Sequence, residues 1–191
     1  MMQNKRLIGI TGGSGCGKSH LSELLRKRGI PVIDCDLVSR EIMAKDTPCA
    51  KEVTEFFSKG ILENGEINRR KLGGIVFSDP QKLEKLNEIT HKYILADIYN
   101  RIKKEKSTIV CIDGATLIES GIECDMMVGI LADKDIRKER IMARDSLCEE
   151  DAEYRIAAQK EDSFYIKNCD FVVYNNSGDF DIDAFIKRIT V

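Results

Sequence analysis

A glycine-rich stretch near the start of the chain constrains the fold more than any other feature. The segment "LIGITGGSGCGKS" (residues 7–19) passes from apolar residues into glycines and ends in a lysine and a serine. Gly12, Gly17, Lys18 and Ser19 match the pattern G-x-x-x-x-G-K-[ST], whose backbone N–H groups turn inward around a phosphate. The pattern requires a strand before the loop and a helix after it. We therefore expect an α/β fold with a nucleotide site at its first turn.

The loop supplies the candidate contacts to the nucleotide. Lys18 is expected to reach the β- and γ-phosphates, and the Ser19 hydroxyl is expected to ligate magnesium. We interpret Cys16 as a small filler of the loop rather than as a reactive thiol, although helix N-termini lower thiol pKa values. The candidate nucleotide-binding residues here are Gly12, Gly13, Ser14, Gly15, Cys16, Gly17, Lys18, Ser19 and His20.

Short apolar segments alternate with helical patterns along the chain. The segments with the length and composition of strands span residues 7–11, 31–35, 108–113, 126–132 and 171–174. After the loop, Leu21, Leu24 and Leu25 form the apolar stripe of a helix, and Gly29 stands where a C-cap glycine belongs. This alternation predicts a P-loop NTPase fold of the α/β class, with a parallel five-stranded sheet flanked by helices.

Two helical insertions interrupt the predicted strands. Residues 46–106 contain no convincing strand, and a long helix is expected there after Ser78 or Asp79 as N-cap. A pair of helices is expected over residues 134–167, the second of which would begin at the capping box "SLCEE". We predict one P-loop kinase domain over residues 1–191. Its parts would be a core (1–45, 107–133 and 168–191), a helical acceptor lobe (46–106) and a helical lid (134–167).

The composition of the chain disfavours several classes of binding partner. The chain has 191 residues and a net charge of −2, without a block of like charges, which disfavours nucleic acid or an anionic membrane surface as partner. None of the seven cysteines forms a C-x-x-C pair, which disfavours a zinc site. With no secretory signal and no apolar run of membrane-spanning length, we expect a cytoplasmic protein with reduced cysteines.

Carboxylates follow two of the predicted strands. In "VIDCD", Asp34 and Asp36 come at the end of the second strand, where a carboxylate can accept the proton of an attacking hydroxyl. We favour this role for Asp36, whereas Asp34 stays open between such a role and capping the next helix. Arg40 would share a helix face with Asp36. Asp113 ends the third strand as in a Walker B motif, which would place its carboxylate near the magnesium.

Several classes of P-loop protein fit these observations poorly. GTPases usually carry N-K-x-D and D-x-x-G, and neither motif occurs here in a suitable place. Motor and remodelling ATPases usually need longer chains. Small-molecule kinases remain, since they combine a short chain with helical lobes over the substrate.

The order of the segments resembles the dephospho-CoA kinase family over essentially the whole length. "IGITGGSGCGKS" is followed by "GIPVIDCDLVSRE", which matches the family's D-x-D-x-x-x-R. "GEINRRKLGGIVFSDPQKLEKLNEITH" and "DGATLIESG" are similar to the family's next regions. "RKERIMARD", "RIAAQ" and "CDFVVYNNSG" then match its lid and last strand in order.

This resemblance implies transfer of the ATP γ-phosphate to the ribose 3′-hydroxyl of dephospho-CoA, with magnesium. We also expect a monomer. It implies Lys18, Asp36 and Arg140 as catalytic residues, and Arg144, Asn175 and Asn176 as further contacts to ATP. The implied acceptor-binding residues are Asp36, Arg40, Arg69, Phe77, His91 and Glu119, and the implied magnesium ligands are Ser19 and Asp113. His20 replaces the family's usual second Ser or Thr at a position that contacts the α-phosphate through its backbone N–H.

Three alternatives stay open on the sequence alone. By spacing alone, the arginine stripe Arg137, Arg140 and Arg144 fits either a solvated basic helix face or a lid over the phosphates, and the phosphate loop and the neighbouring capped helix favour the lid. The acceptor could be another small alcohol, such as shikimate or a nucleoside. The chain could also be a non-catalytic protein that senses ATP.

Overall fold

The computed structural model of this chain describes residues 5–190. Its strands are β1 (Arg6–Thr11), β2 (Val32–Asp34), β3 (Leu62–Glu63), β4 (Glu66–Ile67), β5 (Ile109–Asp113), β6 (Met126–Leu131) and β7 (Phe171–Tyr174). Its helices are α1 (Lys18–Lys27), α2 (Cys35–Glu41), α3 (Pro48–Phe57), α4 (Arg69–Val76), α5 (Pro80–Lys104), α6 (Lys134–Asp145), α7 (Glu149–Ala157), α8 (Asp162–Asn168) and α9 (Ile182–Thr190).

A five-stranded sheet has the order β2-β5-β1-β6-β7, and every strand predicted from the apolar segments is found in it. The pairs β1–β5, β1–β6 and β6–β7 are parallel. Ile10 pairs with Asp113, and Leu131 pairs with Tyr174, so neighbouring strands end close together. The loops that leave these strands therefore share one edge of the sheet, where α/β proteins bind ligands.

Helices cover both faces of the sheet, as predicted. On one face, apolar residues of β1 and β6 pack with those of α1 and α9. This core includes Ile8, Ile10, Leu21, Leu25, Val128, Ile130, Phe185 and Ile189. On the other face Tyr165 of α8 lies against Gly129 of β6. Each fully buried Leu or Ile of the core stabilises the fold by about 1.5–3 kcal/mol relative to an exposed side chain.

The glycine expected at the end of α1 is found there. Gly29 has a φ of 78°, and its N–H donates to the carbonyl of Arg26 at 3.0 Å. The N–H of Ile30 reaches back to the carbonyl of Leu25 at 3.0 Å. These bonds satisfy the last carbonyls of the helix and direct the chain into β2.

The lid region differs from its prediction in two respects. It contains three helices, α6, α7 and α8, rather than a pair. The predicted capping box is wrong, because Ser146 has a φ of 54° and ends α6 in the left-handed conformation. Cys148 precedes α7 as N-cap and makes no side-chain capping bond. A residue that ends one helix in this way cannot adopt the extended backbone of an N-cap for the next.

The contacts divide the chain into two compact units. One comprises the described residues up to Ile33 and from Glu105 onward, and the other runs from Asp34 to Lys104. The second unit holds α2, α3, α4, α5 and the strands β3 and β4. The division into core, acceptor lobe and lid at the predicted bounds stays a prediction.

Polar N-caps begin the helices of the second unit. Asp34 accepts a hydrogen bond from the N–H of Leu37 at 3.0 Å, and Thr47 accepts one from Ala50 at 3.1 Å. Asn68 caps α4, and Asp79, one of the two predicted caps, accepts from the N–H of Gln81 at 3.1 Å. These side chains satisfy N–H groups that would otherwise lack partners at each helix start.

The expectation that residues 46–106 hold no strand is wrong. Strands β3 and β4 form an antiparallel hairpin in which Leu62 pairs with Ile67. Asn64 and Gly65 connect them with φ values of 52° and 80°. Two consecutive positive φ angles are typical of a two-residue hairpin turn, and Asn-Gly is its strongest local signal.

Among the helices in residues 5–190, none combines the length and apolar composition that crossing a bilayer requires.

Candidate active site

The predicted phosphate loop joins β1 to α1 at the carboxyl edge of the sheet, so the motif has the strand and helix it requires. Gly12 has a φ of 144°, and a side chain there would overlap the carbonyl oxygen of Ile130 on β6. The N–H of Cys16 approaches the carbonyl of Gly13 at 3.5 Å and closes a turn inside the loop. Glycine is therefore required at position 12 by both backbone angle and space.

Lys18 and Ser19 lie in the first turn of α1. The Nζ of Lys18 donates to the carbonyl oxygens of Gly12 at 2.6 Å and Gly13 at 3.2 Å, so the ammonium group lies over the loop. Ser19 is exposed, and the N-cap residue Gly17 offers no side chain to the first N–H groups of the helix. This end of α1 has the positive potential and the N–H groups that bind phosphates.

Arg137 and Gln159 bind the loop from outside the predicted site. The Nε of Arg137 donates to the carbonyl of Ser14 at 3.0 Å, and its Nη2 donates to Oε1 of Gln159 at 2.8 Å. Gln159 also accepts from the N–H of Ser14 at 2.9 Å and donates to its hydroxyl at 2.8 Å. We call this set the Ser14 clamp. The sequence placed Arg137 in the arginine stripe and Gln159 in "RIAAQ", but it predicted no contact of either residue with the loop backbone.

Arg140 reaches the same loop one residue further along. Its Nη1 donates to the carbonyl of Gly15 at 3.2 Å and to that of Asn175 at 2.9 Å. This contact favours the lid interpretation over a solvated face for Arg140. Arg137 is also not part of a solvated face, because only 5% of it is exposed.

The two asparagines after β7 have structural contacts. Asn175 is 2% exposed, and its Nδ2 donates to the carbonyl of Cys16 at 2.9 Å. Among the described atoms its Oδ1 has no hydrogen-bond partner. Asn176 is exposed and accepts a bond from the N–H of Asp133 at 2.9 Å. Asn175 therefore fixes the backbone of the loop at Cys16.

Arg144 lies in an ion pair rather than on the loop. Its Nε and Nη2 donate to the two oxygens of Asp145, each at 2.8 Å, and Arg155 pairs with the same carboxylate. The hydrogen bond from Arg144, together with the positive charges of Arg144 and Arg155, lowers the pKa of Asp145 to about 2. The structure thus brings Arg140, but not Arg144, to the phosphate loop.

Asp113 ends β5 beside the loop and is 8% exposed. Its Oδ2 accepts a hydrogen bond from the hydroxyl of Ser22 at 2.7 Å. Ser22 lies one turn beyond Ser19 on α1, and sequence reasoning did not single it out. The Ser19 hydroxyl and the Asp113 carboxylate, together with phosphate oxygens and water, are oxygen ligands of the kind that magnesium prefers. Within residues 5–190 no group of three or more His, Cys, Asp or Glu side chains could hold a metal ion.

Cys16 is fully buried inside the loop. Burial raises the pKa of its thiol, and the charges of Arg137 and Lys18 offset only part of this effect. The thiol is therefore protonated at neutral pH, which agrees with the interpretation of Cys16 as a filler.

Asp34, Asp36 and Arg40 belong to the unit of residues 34–104. Asp36 lies in the first turn of α2 and Arg40 in its last turn, and both are exposed. Asp34 caps this helix by accepting a hydrogen bond from the N–H of Leu37, as one of its two predicted roles requires.

The other predicted acceptor residues lie on separate elements. Arg69 begins α4, and Phe77, which is 81% exposed, ends it. His91 is exposed on α5. Glu119 follows β5 in a short 3₁₀ turn, and its carboxylate pairs with Nζ of Lys160 at 3.0 Å.

The fold and the loop define a class of protein. A parallel sheet with the phosphate loop after its central strand β1, and with arginines of a helical insertion on that loop, is the architecture of P-loop kinases.

Comparison with known proteins then gives the family. The family model described as dephospho-CoA kinase matches residues 6–181. A relative named dephospho-CoA kinase, from Enterococcus faecalis, is 38% identical over 178 residues, which cover 91% of this chain and 89% of the relative. The chain belongs to the dephospho-CoA kinase family, and it is a phosphotransferase.

Solved structures agree with this assignment. A crystal structure from Thermus thermophilus is similar with a TM-score of 0.86 at 28% identity, over 98% of this chain and 97% of the other. The structure of dephospho-CoA kinase from Campylobacter jejuni has a TM-score of 0.70 at 27% identity, over 97% of this chain and 96% of the other.

Proposed function

We propose that this chain transfers the γ-phosphate of ATP to the ribose 3′-hydroxyl of dephospho-CoA. The products are ADP and coenzyme A, so the reaction is the last step of coenzyme A biosynthesis. One observation carries the proposal: the family match over residues 6–181 contains a G-x-x-x-x-G-K-S loop whose strand, helix and lysine have the arrangement that phosphate binding requires.

On the donor side, the loop and the start of α1 would bind the phosphates of ATP. Lys18 already lies over the loop, from where a rotation of its flexible side chain would bring its charge to the β- and γ-phosphates. Arg140 contacts the carbonyl of Gly15 and would stabilise negative charge on the transferring group. Asn176 would give a further contact to ATP near the adenine, and Arg144 would give one after leaving its ion pair with Asp145.

On the acceptor side, Asp36 would act as the base. The 3′-oxygen forms a bond to the γ-phosphorus, the bond from that phosphorus to the bridging oxygen of ADP breaks, and the hydroxyl proton passes to the Asp36 carboxylate. Its position two residues after β2 supports this role, since acceptor groups in α/β proteins follow strand ends. The residues proposed to bind dephospho-CoA are Arg40, Arg69, Phe77, His91 and Glu119.

Magnesium would enter with ATP, and Ser19 and Asp113 would hold it. When bound, the ion neutralises charge on the phosphates. Ser22 would keep the Asp113 carboxylate oriented through its 2.7 Å hydrogen bond.

We further propose a cytoplasmic monomer whose partners are these two small molecules, without a nucleic-acid or membrane partner. The net charge of −2 disfavours a nucleic-acid or anionic-membrane partner, and the seven cysteines, all within residues 5–190, are free thiols, as is usual in the cytoplasm.

ADP release tests the function directly. The purified chain is supplied with MgATP alone and then with dephospho-CoA, shikimate or adenosine. Only dephospho-CoA should stimulate ADP release, and its product should gain the mass of one phosphoryl group. A Lys18→Met variant, which keeps the side-chain length without the charge, controls for contaminating kinases.

Stimulation by shikimate or adenosine alone would instead support a kinase of another alcohol. ATP binding without any stimulation would support an ATP-sensing protein.

A further inference from the structure

Three successive carbonyl groups of the phosphate loop are bonded to side chains from α6 and from the end of β7. The pairs are Ser14 with Arg137 (3.0 Å), Gly15 with Arg140 (3.2 Å) and Cys16 with Asn175 (2.9 Å). The peptide bond is planar and trans, so a carbonyl and the N–H that follows it point in opposite directions. Each of these hydrogen bonds therefore sets the direction of the next residue's N–H group.

Arg137 differs from the other two donors because it is a buried cation. Only 7% of its side chain is exposed, and its carboxylate partner Asp162 lies 3.9 Å away, beyond hydrogen-bond distance. Its hydrogen bonds go instead to two neutral oxygens, on Ser14 and Gln159. Burying a guanidinium group is unfavourable unless its donors are satisfied. The fold thus keeps a buried charge whose main contact is one peptide group of the phosphate loop.

Gln159 fixes that same peptide region from the other side. Its Oε1 accepts from both the N–H of Ser14 and Nη2 of Arg137, and its Nε2 bonds the Ser14 hydroxyl. The backbone N–H, the hydroxyl and the carbonyl of Ser14 are therefore all engaged by the clamp. A serine held at three groups has little freedom to rotate its peptide planes.

We propose that Arg137, oriented by Gln159, is a positioning residue for the nucleotide: it holds the Ser14 carbonyl outward so that the N–H of Gly15 points to the phosphates. Arg137 acts through the loop and does not itself touch the nucleotide. Its buried charge also lies directly behind the loop, where low local polarity strengthens its attraction for phosphate. This inference rests on the proposed function, because ATP and ADP are the ligands concerned.

The test compares Arg137→Met with Lys138→Met. Lys138 is the next residue of α6, and it pairs with Glu149 and Glu153 of α7 rather than with the loop. Both variants remove one positive charge from the same helix and keep a long, unbranched side chain. Calorimetric titration with ADP and melting curves are recorded for each, together with KM for ATP and for dephospho-CoA.

Arg137→Met should weaken ADP binding and raise KM for ATP by about ten- to a hundredfold, the range of a charged hydrogen bond. KM for dephospho-CoA should not change. Lys138→Met should lower the melting temperature and leave ADP affinity unchanged. Arg137→Lys keeps a donor for the Ser14 carbonyl, so it should recover most of the lost affinity. An ADP affinity for Arg137→Met equal to that of Lys138→Met would overturn the proposal.

A spectroscopic readout separates positioning from general stability. The amide proton of Gly15 should shift when ADP is added to the wild-type chain and to Lys138→Met, and this shift should be largely lost in Arg137→Met. If Arg137→Met does not fold, Gln159→Leu replaces it and should weaken ADP binding about five- to tenfold. Unchanged binding in that variant would equally overturn the proposal.

A wild-type chain that does not bind ADP would overturn the proposed function and this inference together, whereas normal wild-type binding with no effect of the variants would overturn this inference alone.

Discussion

The hydroxyl of Ser22 on α1 donates a 2.7 Å hydrogen bond to Oδ2 of Asp113 at the end of β5. Both residues are buried, with 1% and 8% of their surfaces exposed. The bond joins the helix that follows the phosphate loop to the strand beside β1. A buried carboxylate is unfavourable without hydrogen-bond donors, so this contact stabilises both the helix position and the proposed magnesium ligand.

Replacing Ser22 should therefore cost stability. Ser22→Ala removes one donor from a buried carboxylate, and we expect the free energy of unfolding to fall by about 1–3 kcal/mol. Urea unfolding measures this. Ser163→Ala, at an exposed position of α8, is the matched control and should change stability by less than about 0.5 kcal/mol. Equal effects of the two substitutions would contradict the importance of the Ser22–Asp113 bond.

Substitutions of Asp34, the last residue of β2, and of Asp36, two residues later, should have different effects on kcat. Asp36→Asn removes the proposed proton acceptor, so kcat should fall by about 10²–10⁴-fold while ATP affinity is kept. Asp34→Asn should retain activity, because asparagine caps a helix as well as aspartate does. Steady-state kinetics with dephospho-CoA decide the matter. Near-normal turnover of Asp36→Asn would remove this residue from the mechanism.

The ion pairs that Asp145 forms within α6 and with α7 predict a dependence of stability on pH. Hydrogen bonding from Arg144 lowers the pKa of Asp145 to about 2, from an ordinary value of 3.8. A carboxyl group whose pKa is lower in the folded state stabilises the fold above its unfolded pKa, and this contribution is lost as the pH falls to the folded pKa. The difference in unfolding free energy between wild type and Asp145→Asn should be constant near neutral pH and shrink between pH 3.8 and about 2.

Urea unfolding over a pH series measures this difference. Glu139→Gln, which removes an exposed carboxylate of the same helix, is the control for the loss of one negative charge. A difference for Asp145→Asn that stayed constant down to the lowest pH would show that its ion pairs do not stabilise the fold.

Two glycines of the second unit should respond in opposite directions to alanine. Gly65 has a φ of 80° in the hairpin turn, so Gly65→Ala should lower the free energy of unfolding by about 1 kcal/mol. Gly74 lies inside α4 with open space around it, so Gly74→Ala should raise that free energy by about 0.5–1 kcal/mol. Thermal and urea unfolding of both variants test the pair. A higher unfolding free energy for Gly65→Ala would contradict the left-handed turn, and a lower one for Gly74→Ala would contradict the open helical position of Gly74.

Local patterns were sufficient for much of the fold. The phosphate loop, the five strands of the sheet, the C-cap glycine and the cap at Asp79 each depend on residues close together in sequence, and the structure has them all. The Asn64–Gly65 hairpin was also readable locally, but its strands of two residues are too short for an alternating apolar pattern to identify them. The prediction of a capping box was wrong because Ser146 lies between two helices. The pattern S-x-x-E does not distinguish a serine that begins the second helix from one that ends the first.

The sequence by itself determined the site for the phosphoryl donor. A strand, a glycine loop, a lysine and the start of a helix follow one another there and together hold a phosphate. Only the tertiary structure decided how that loop is kept in shape. Arg137, Gln159 and Asn175 contact residues 14–16 across separations of 123, 145 and 159 positions. No spacing rule links positions so far apart, because these contacts exist only once the chain after β6 has folded back onto the loop between β1 and α1. The arginine stripe looked uniform in sequence, yet packing placed Arg137 and Arg140 against loop carbonyls and left Arg144 with Asp145, since a helix presents each residue to a different neighbour.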